Sequence, residues 1–130
     1  MTDHILVIGY GDTGRDAVNS VLASQPDARL TVLDIDFVAA AEATANGVTA
    51  IQGDGRDGCA LDKAAADLAD RIVIAVPDDL NAFLIARAIR PLNPDTVIVA
   101  LIREPENHAL FVSEGAVTVH LRCSGQDPRT

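Results

Sequence analysis

Three glycines at the spacing G-x-G-x-x-G, in Gly9-Tyr10-Gly11-Asp12-Thr13-Gly14, constrain this chain more than any other feature. The apolar run Ile5-Leu6-Val7-Ile8 leads into them, and a helix-compatible segment, residues 15–23, comes at once after them. Strand, tight turn and helix are therefore expected in immediate succession. A second apolar run, residues 30–33, ends in Asp34, twenty residues past the last glycine. A strand before the glycines, a helix after them and an acid at this distance form the fingerprint of a dinucleotide-binding βαβ unit. In that arrangement Gly9 permits the turn, Gly11 lets a pyrophosphate approach the backbone, and Gly14 lets the helix pack closely on the strand. The helix beginning near Thr13 offers free N–H groups and a positive dipole end to phosphate oxygens.

The alternation continues to the end of the chain. Strands are expected at residues 5–9, 30–34, 49–52, 72–76, 96–101 and 117–121, and helices at about 14–23, 37–46, 59–66, 79–90 and 105–114. Short Val- and Ile-rich runs without polar alternation suit a parallel sheet covered on both faces. The expected fold is Rossmann-like α/β, a doubly wound six-stranded parallel sheet in a single domain over residues 1–123. Gly47 and Gly115 are placed to end helices in the left-handed conformation, and Pro105 to begin one. The polar stretch 124–130 is expected to be a tail or the start of a linker.

A net charge of -9 argues against nucleic acid as a partner, because a phosphate-tracking surface needs clustered cations. No run approaches the ~18 to 20 apolar residues of a membrane-spanning helix, and the N-terminus has no basic region before an apolar core, so a cytoplasmic chain is expected. Cys59 and Cys123 lack C-x-x-C spacing and a nearby His pair, which disfavours a disulfide framework and a metal site.

Asp34 and Ile35 end the second strand, where a carboxylate can accept both ribose hydroxyls of an adenosine and repel a 2'-phosphate. Asp36 adds negative charge there or caps the next helix. The expected ligand is NAD(H), or ATP, ADP or AMP, and not NADP. Asp54 and Gly55, after the third strand, are placed to line an adenine pocket, unless the turn uses them for backbone reasons alone. Val76 and Pro77, after the fourth, lie where the distal half of a nucleotide would sit. Asp12 in the glycine loop would repel phosphate by roughly 1 to 4 kcal/mol at ~4 Å. Arg15 could offset that repulsion, or Asp12 could help hold a cation beside the phosphates. His4, His108 and His120 are scattered and no nucleophile–base pairing is suggested. With the chain consumed by the nucleotide fold, sensing is favoured over catalysis. The alternatives are the cofactor domain of an NAD-dependent oxidoreductase, or an oligomerisation module without a ligand.

From Leu80 to Ile89 only Asn81 and Arg87 are polar, and Ala109-Leu110-Phe111-Val112 is apolar throughout. Two such helices on one face of the sheet predict a subunit interface that includes Phe83, Leu84, Ile85, Ile89, Leu110 and Phe111.

In order along the chain, the glycine motif through Arg15, Val32-Leu33-Asp34-Ile35-Asp36, Gly53-Asp54-Gly55-Arg56-Asp57, Ala69 through Asn81, Leu92-Asn93-Pro94, Arg103-Glu104-Pro105-Glu106-Asn107 and Glu114-Gly115-Ala116 resemble the TrkA N-terminal or RCK domain, the regulator of potassium conductance. The glycine motif is generic to Rossmann folds; the Gly-Asp loop and the Asp-Asp-x-Asn and Pro-Glu-Asn helix starts are more specific. The resemblance implies a cytosolic regulatory domain, bound to the inner membrane through its transporter. It would bind NAD(H) or an adenine nucleotide, form dimers or rings through the fourth and fifth helices, and gate a potassium channel, transporter or antiporter. This chain departs from the family in its Asp12, and it stops where the family's second lobe would begin.

Overall fold

The computed structural model describes residues 3–121, so the expected tail and Cys123 lie outside the described residues. The elements run β1 His4–Ile8, α1 Asp12–Ser24, β2 Arg29–Asp34, α2 Phe37–Ala45, β3 Thr49–Gln52, α3 Gly58–Lys63, a 3₁₀ turn Ala66–Leu68, β4 Arg71–Ile74, α4 Asp79–Ile89, β5 Val97–Ile102, a 3₁₀ turn Pro105–Asn107, α5 His108–Val112 and β6 Val117–His120. The strands form one parallel sheet in the order β3-β2-β1-β4-β5-β6, the doubly wound topology expected.

Alternation along β1 explains the layering. Leu6 and Ile8 point to one face, where Leu33, Ile72, Ile74 and Ile98 meet Leu61 of α3, Ile85 and Ile89 of α4 and Phe111 of α5. Ile5 and Val7 point to the other, where Val32 and Val73 meet Val18 and Val21 of α1 and Ala43 of α2. With both faces covered, β1 has no use for polar alternation, and Ile5, Leu6 and Val7 are wholly buried. Chain order reverses between β1 and β4, and that switch opens a crevice at the carboxyl ends of the strands.

Several expected boundaries shift for identifiable reasons. The first helix begins at Asp12 rather than Gly14, with Gly11 as its N-cap. The third stops at Lys63 rather than residue 66, because Ala65 turns left-handed (φ 58°) into the 3₁₀ turn. The fifth opens with the 3₁₀ turn at Pro105 and becomes α-helical only at His108. Gly47 (φ 84°) and Gly115 (φ 64°) adopt the left-handed conformation expected of them.

The expected interface needs a correction. Ile85, Ile89 and Phe111 are 2%, 0% and 0% exposed, and they belong to the core of their own domain. On α4 the residues 82, 85, 86 and 89 form the inward stripe, and the small Ala82 and Ala86 let the helix approach close enough to bury both isoleucines. Phe83 stands edge-on to Phe111 at 6.0 Å between ring centroids, with the Arg87 guanidinium 5.9 Å from its own centroid. What α4 and α5 leave uncovered is Leu80, Leu110 and Val112, with Phe83 and Leu84 half-buried.

Candidate functional site

Each glycine of the loop does something different. Gly9, at φ +103°, occupies backbone space where a Cβ would lie 2.6 Å from the Ala75 carbonyl oxygen. A Cβ on Gly14 would collide with the Gly9 carbonyl, so Gly14 lets α1 rest on the loop. Among the described residues a Cβ on Gly11 would meet nothing within 4 Å, so this residue presents bare backbone to open space. That is the position a phosphate can approach, at the N-terminus of α1.

Asp34 binds two loops together. One carboxylate oxygen accepts the Tyr10 N–H at 2.7 Å and the other accepts the Asp36 N–H at 2.8 Å. A carboxylate has about four lone-pair sites, so two acceptor positions remain after these bonds. Asp36 itself caps α2 by accepting the Val38 N–H at 3.0 Å, which settles its backbone role. The Tyr10 ring is buried, and its hydroxyl accepts from the Asn46 amide at 3.0 Å, so in the cleft this residue contributes mainly loop geometry.

The third loop carries Asp54, which accepts from the Arg56 backbone N–H (2.9 Å), Nε (3.1 Å) and Nη2 (2.9 Å). Those bonds, the side-chain ones first, hold the Asp54 carboxyl below the usual carboxylate range. Gly55 rides on the core: a Cβ there would lie 2.9 Å from Ile8 and 3.3 Å from Ile85. At the mouth, Asp12 is 95% exposed and its carboxylate pairs with Arg15 at 2.7 Å, the offset expected from the sequence.

On the far side of the switch, Asp78 rather than Asp79 caps α4, accepting the Leu80 N–H at 3.0 Å. Asp79 is only 7% exposed and reaches across to the loop after β5. It accepts from the Arg103 N–H (2.9 and 3.1 Å to its two oxygens), the Glu104 N–H (2.9 Å) and the Asn107 amide (2.9 Å). Burial alone would push its carboxyl up. The bonds from Asn107, Glu104 and Arg103, with the charge of Arg103, outweigh that and hold it below its ordinary value. Arg103 also donates from Nε to the Pro77 carbonyl at 3.0 Å, closing the distal wall.

These loops surround one cleft of about 400 Å³. It is bordered by Gly9, Tyr10, Gly11, Asp12, Thr13, Asp34, Ile35, Asp54, Gly55, Val76 and Pro77, so of the expected site residues only Gly14 lies off it. Arg56, Asn81 and Arg103 border it too and carry no sequence-based assignment. Their positions, just past strand ends or in the first turn of α4, were the available signal. The Oδ1 atom of Asn81 is buried and has no hydrogen-bond partner among the described residues. None of His4, His108 and His120 borders the cleft; His108 meets Thr118 at 2.6 Å and His120 the Arg103 carbonyl at 2.8 Å. Among the described residues no cluster of His, Cys, Asp or Glu is placed to hold a metal.

A doubly wound parallel sheet, a bare glycine backbone at a helix N-terminus and a carboxylate at the end of the second strand define a Rossmann-like domain of the nucleotide-binding class. The TrkA-N domain profile matches residues 5–121, and the chain belongs to that family. Among curated proteins it is 32% identical over 108 residues to the uncharacterized protein MJ1633 of Methanocaldococcus jannaschii, covering 82% of this chain and 22% of that one. It is 27% identical over 114 residues to the putative cation/proton antiporter YbaL of Escherichia coli, covering 88% and 20%. The chain thus spans about a fifth of the length of these relatives. The solved TrkA-N domain of YbaL superposes with a TM-score of 0.83 at 26% identity, over 92% of this chain and 88% of that one. The fold also recurs at 21% identity in the GsuK channel bound to NAD (TM-score 0.78; 92% and 21% covered). It recurs again in the AMP-bound Kef C-terminal domain of Shewanella denitrificans (TM-score 0.74; 21% identity; 92% and 72% covered). Among the described residues no helix is long and apolar enough to cross a membrane.

Proposed function

We propose that this domain regulates a potassium channel, transporter or antiporter by binding NAD(H) or an adenine nucleotide in the cleft at the β1/β4 switch. The observation that carries the reading is Asp34, fixed by two loop N–H groups while bordering the same cleft as the bare backbone of Gly11. Together they offer acceptors to ribose hydroxyls and N–H groups to phosphate. Asp34 and Asp36 disfavour the 2'-phosphate of NADP. The family and the channel and antiporter relatives supply the context of ion transport. In that context the domain sits on the cytoplasmic side of its membrane partner, and the nucleotide acts by binding two states of the assembly with different affinity. Residues 1–123 would make up the domain, and 124–130 a polar tail or the start of a linker.

An oxidoreductase's cofactor domain is the less favoured reading, because the distal cleft is built from Val76, Pro77, Asn81 and Arg103, with no histidine bordering it. Asp12 is held by Arg15 and lies in solvent, so its repulsion of a phosphate is screened and small. Calorimetric titration with NAD+, NADH, ATP, ADP and AMP tests the reading, with Asp34→Ala as control. Binding of at least one at sub-millimolar concentration, weakened tenfold or more by the substitution, is expected. No binding of any at millimolar concentration overturns it.

A further inference from the structure

A second cavity, of about 380 Å³, opens at the edge of the sheet opposite the nucleotide cleft and shares no bordering residue with it. Its cause is the shortness of α3. Six helical residues rise roughly 9 Å, whereas the six residues of β2 extend roughly 20 Å, so α3 ends before it has covered the base of the sheet. Ala65, in the left-handed conformation, ends the helical run there. The face left bare is the one that carries Leu6 and Leu33 nearer the cleft. Alternation along the strands brings His4 of β1, Arg29 and Thr31 of β2 and Thr49 of β3 to it. Lys63, the only lysine of the chain, borders the same cavity from the last turn of α3.

We propose that this cavity is a second ligand site, separate from the nucleotide cleft, for a small soluble phosphomonoester. In a chain of net charge -9 it gathers Arg29 and Lys63, and neither enters an ion pair among the described residues. One acid, Asp70, borders them, and its Oδ2 accepts the His4 N–H at 2.8 Å. Two cations thus face one acid here, whereas in the cleft Asp12, Asp34, Asp36 and Asp54 face two guanidiniums. The donors decide which anion fits. The Arg29 fork, the Lys63 ammonium and the hydroxyls of Thr31 and Thr49 offer more hydrogens than the about four lone-pair sites of a carboxylate can take, and the three terminal oxygens of a phosphomonoester can accept them. His4 Nε2 lies 3.4 Å from Thr31 Oγ1; in the Nε2–H tautomer it donates to that oxygen and leaves the Thr31 hydroxyl hydrogen for the ligand. Ile51 and the exposed Leu68 border the cavity as well, so the organic part of an ester meets apolar surface. The volume falls in the range of roughly 300 to 1,000 Å³ typical of small-molecule sites.

The test is titration of isotope-labelled protein with phenyl phosphate, inorganic phosphate and benzoate at constant ionic strength, followed by amide NMR shifts. The wild type is compared with Arg29→Gln, Lys63→Gln, the double variant and Lys63→Arg, each checked for folding by thermal unfolding; both side chains are exposed, so the fold should survive. Phenyl phosphate is expected to shift the amides of Arg29, Thr31, Thr49 and Lys63 and to saturate at about millimolar concentration or below. Each Gln substitution should weaken it about fivefold, the double variant should abolish saturation, and Lys63→Arg should retain it. Inorganic phosphate should bind a few-fold more weakly, for want of the apolar contact, and benzoate should not saturate. No saturation by phenyl phosphate up to ~20 mM overturns the proposal, as do shifts confined to the amides of Gly11, Asp12 and Thr13 or an affinity unchanged in the double variant. Benzoate binding as tightly as phenyl phosphate refutes the choice of anion. Vesicles of phosphatidylcholine containing phosphatidic acid separate the two sources of a phosphomonoester: protein that sediments with them, yet ignores phenyl phosphate, reads a lipid headgroup and not a soluble ester.

Discussion

Asp79 is the side chain whose loss should be felt most widely. Its carboxylate is surrounded by donors alone, the N–H groups of Arg103 and Glu104 and the Asn107 amide. Asp79→Ala strands those donors in a buried site, and the expected destabilisation is about 3 kcal/mol in denaturant unfolding. Asp79→Asn should cost nearly as much, since an amide NH₂ would face N–H groups. The pH dependence has a definite sign. A carboxyl held below its ordinary value of 3.8 contributes stability that is complete above that value and lost as pH falls through the folded-state value. The stability gap between wild type and Asp79→Asn should therefore be constant near neutrality and narrow below about pH 4. A gap that widens on acidification would contradict the assignment. Behind the glycine loop, Gly14→Ala should lower stability by about 3 kcal/mol or more in denaturant unfolding, because its methyl group meets backbone, the Gly9 carbonyl, rather than a side chain that can move.

The strands and helices were largely readable from period and punctuation, because a sheet buried on both faces writes itself as unbroken Val and Ile runs such as Ile5-Leu6-Val7-Ile8. The loops of the cleft were readable for the same topological reason: residues just past the strand ends collect at one edge of the sheet. What composition could not resolve was which side of an all-apolar helix faces home. In α4 the alanines at 82 and 86, not the bulkiest residues, mark the inward stripe, and Phe111 is the single inward anchor of the short α5. Nor could spacing reveal that Asp79 is a clamp and Asp78 the cap, since both are acids at a helix start. The corrected stripe separates two substitutions one residue apart. Leu110, 41% exposed, is available to a partner, whereas Phe111 is wholly buried. If two copies associate through α4 and α5, Leu110→Asp should convert a dimer to a monomer in sedimentation while changing the stability of the domain by less than about 0.5 kcal/mol. Phe111→Ala should lower domain stability by about 3 to 5 kcal/mol whatever the state of association. A Leu110→Asp variant that sediments as the wild type would exclude this face.

The domain's charge sets how its cleft meets a ligand that is itself an anion. The chain carries -9, and the carboxylates bordering the cleft outnumber its two guanidiniums, of which Arg56 is already neutralised. Attraction for phosphate is therefore local, supplied by the backbone N–H groups at the α1 N-terminus and by Arg103, while the long-range field is repulsive. Salt screens exposed charges beyond a Debye length of about 8 to 10 Å but leaves short hydrogen bonds nearly untouched. The expected consequence runs opposite to that for a basic nucleotide site: affinity for ADP or NADH should rise about two- to threefold between low and physiological ionic strength. Binding to the folded state alone also stabilises it, by about 2.7 kcal/mol at a ligand concentration one hundred times Kd, a shift of roughly ten degrees in the unfolding midpoint for a domain of this size. Because the cleft is assembled from loops after β1, β2, β3, β4 and β5, that stabilisation should appear as a single cooperative shift. Thermal unfolding with and without nucleotide at two salt concentrations measures both effects. A shift that shrinks as salt is raised toward the physiological range would mean that a cationic surface, rather than the α1 N-terminus, attracts the ligand.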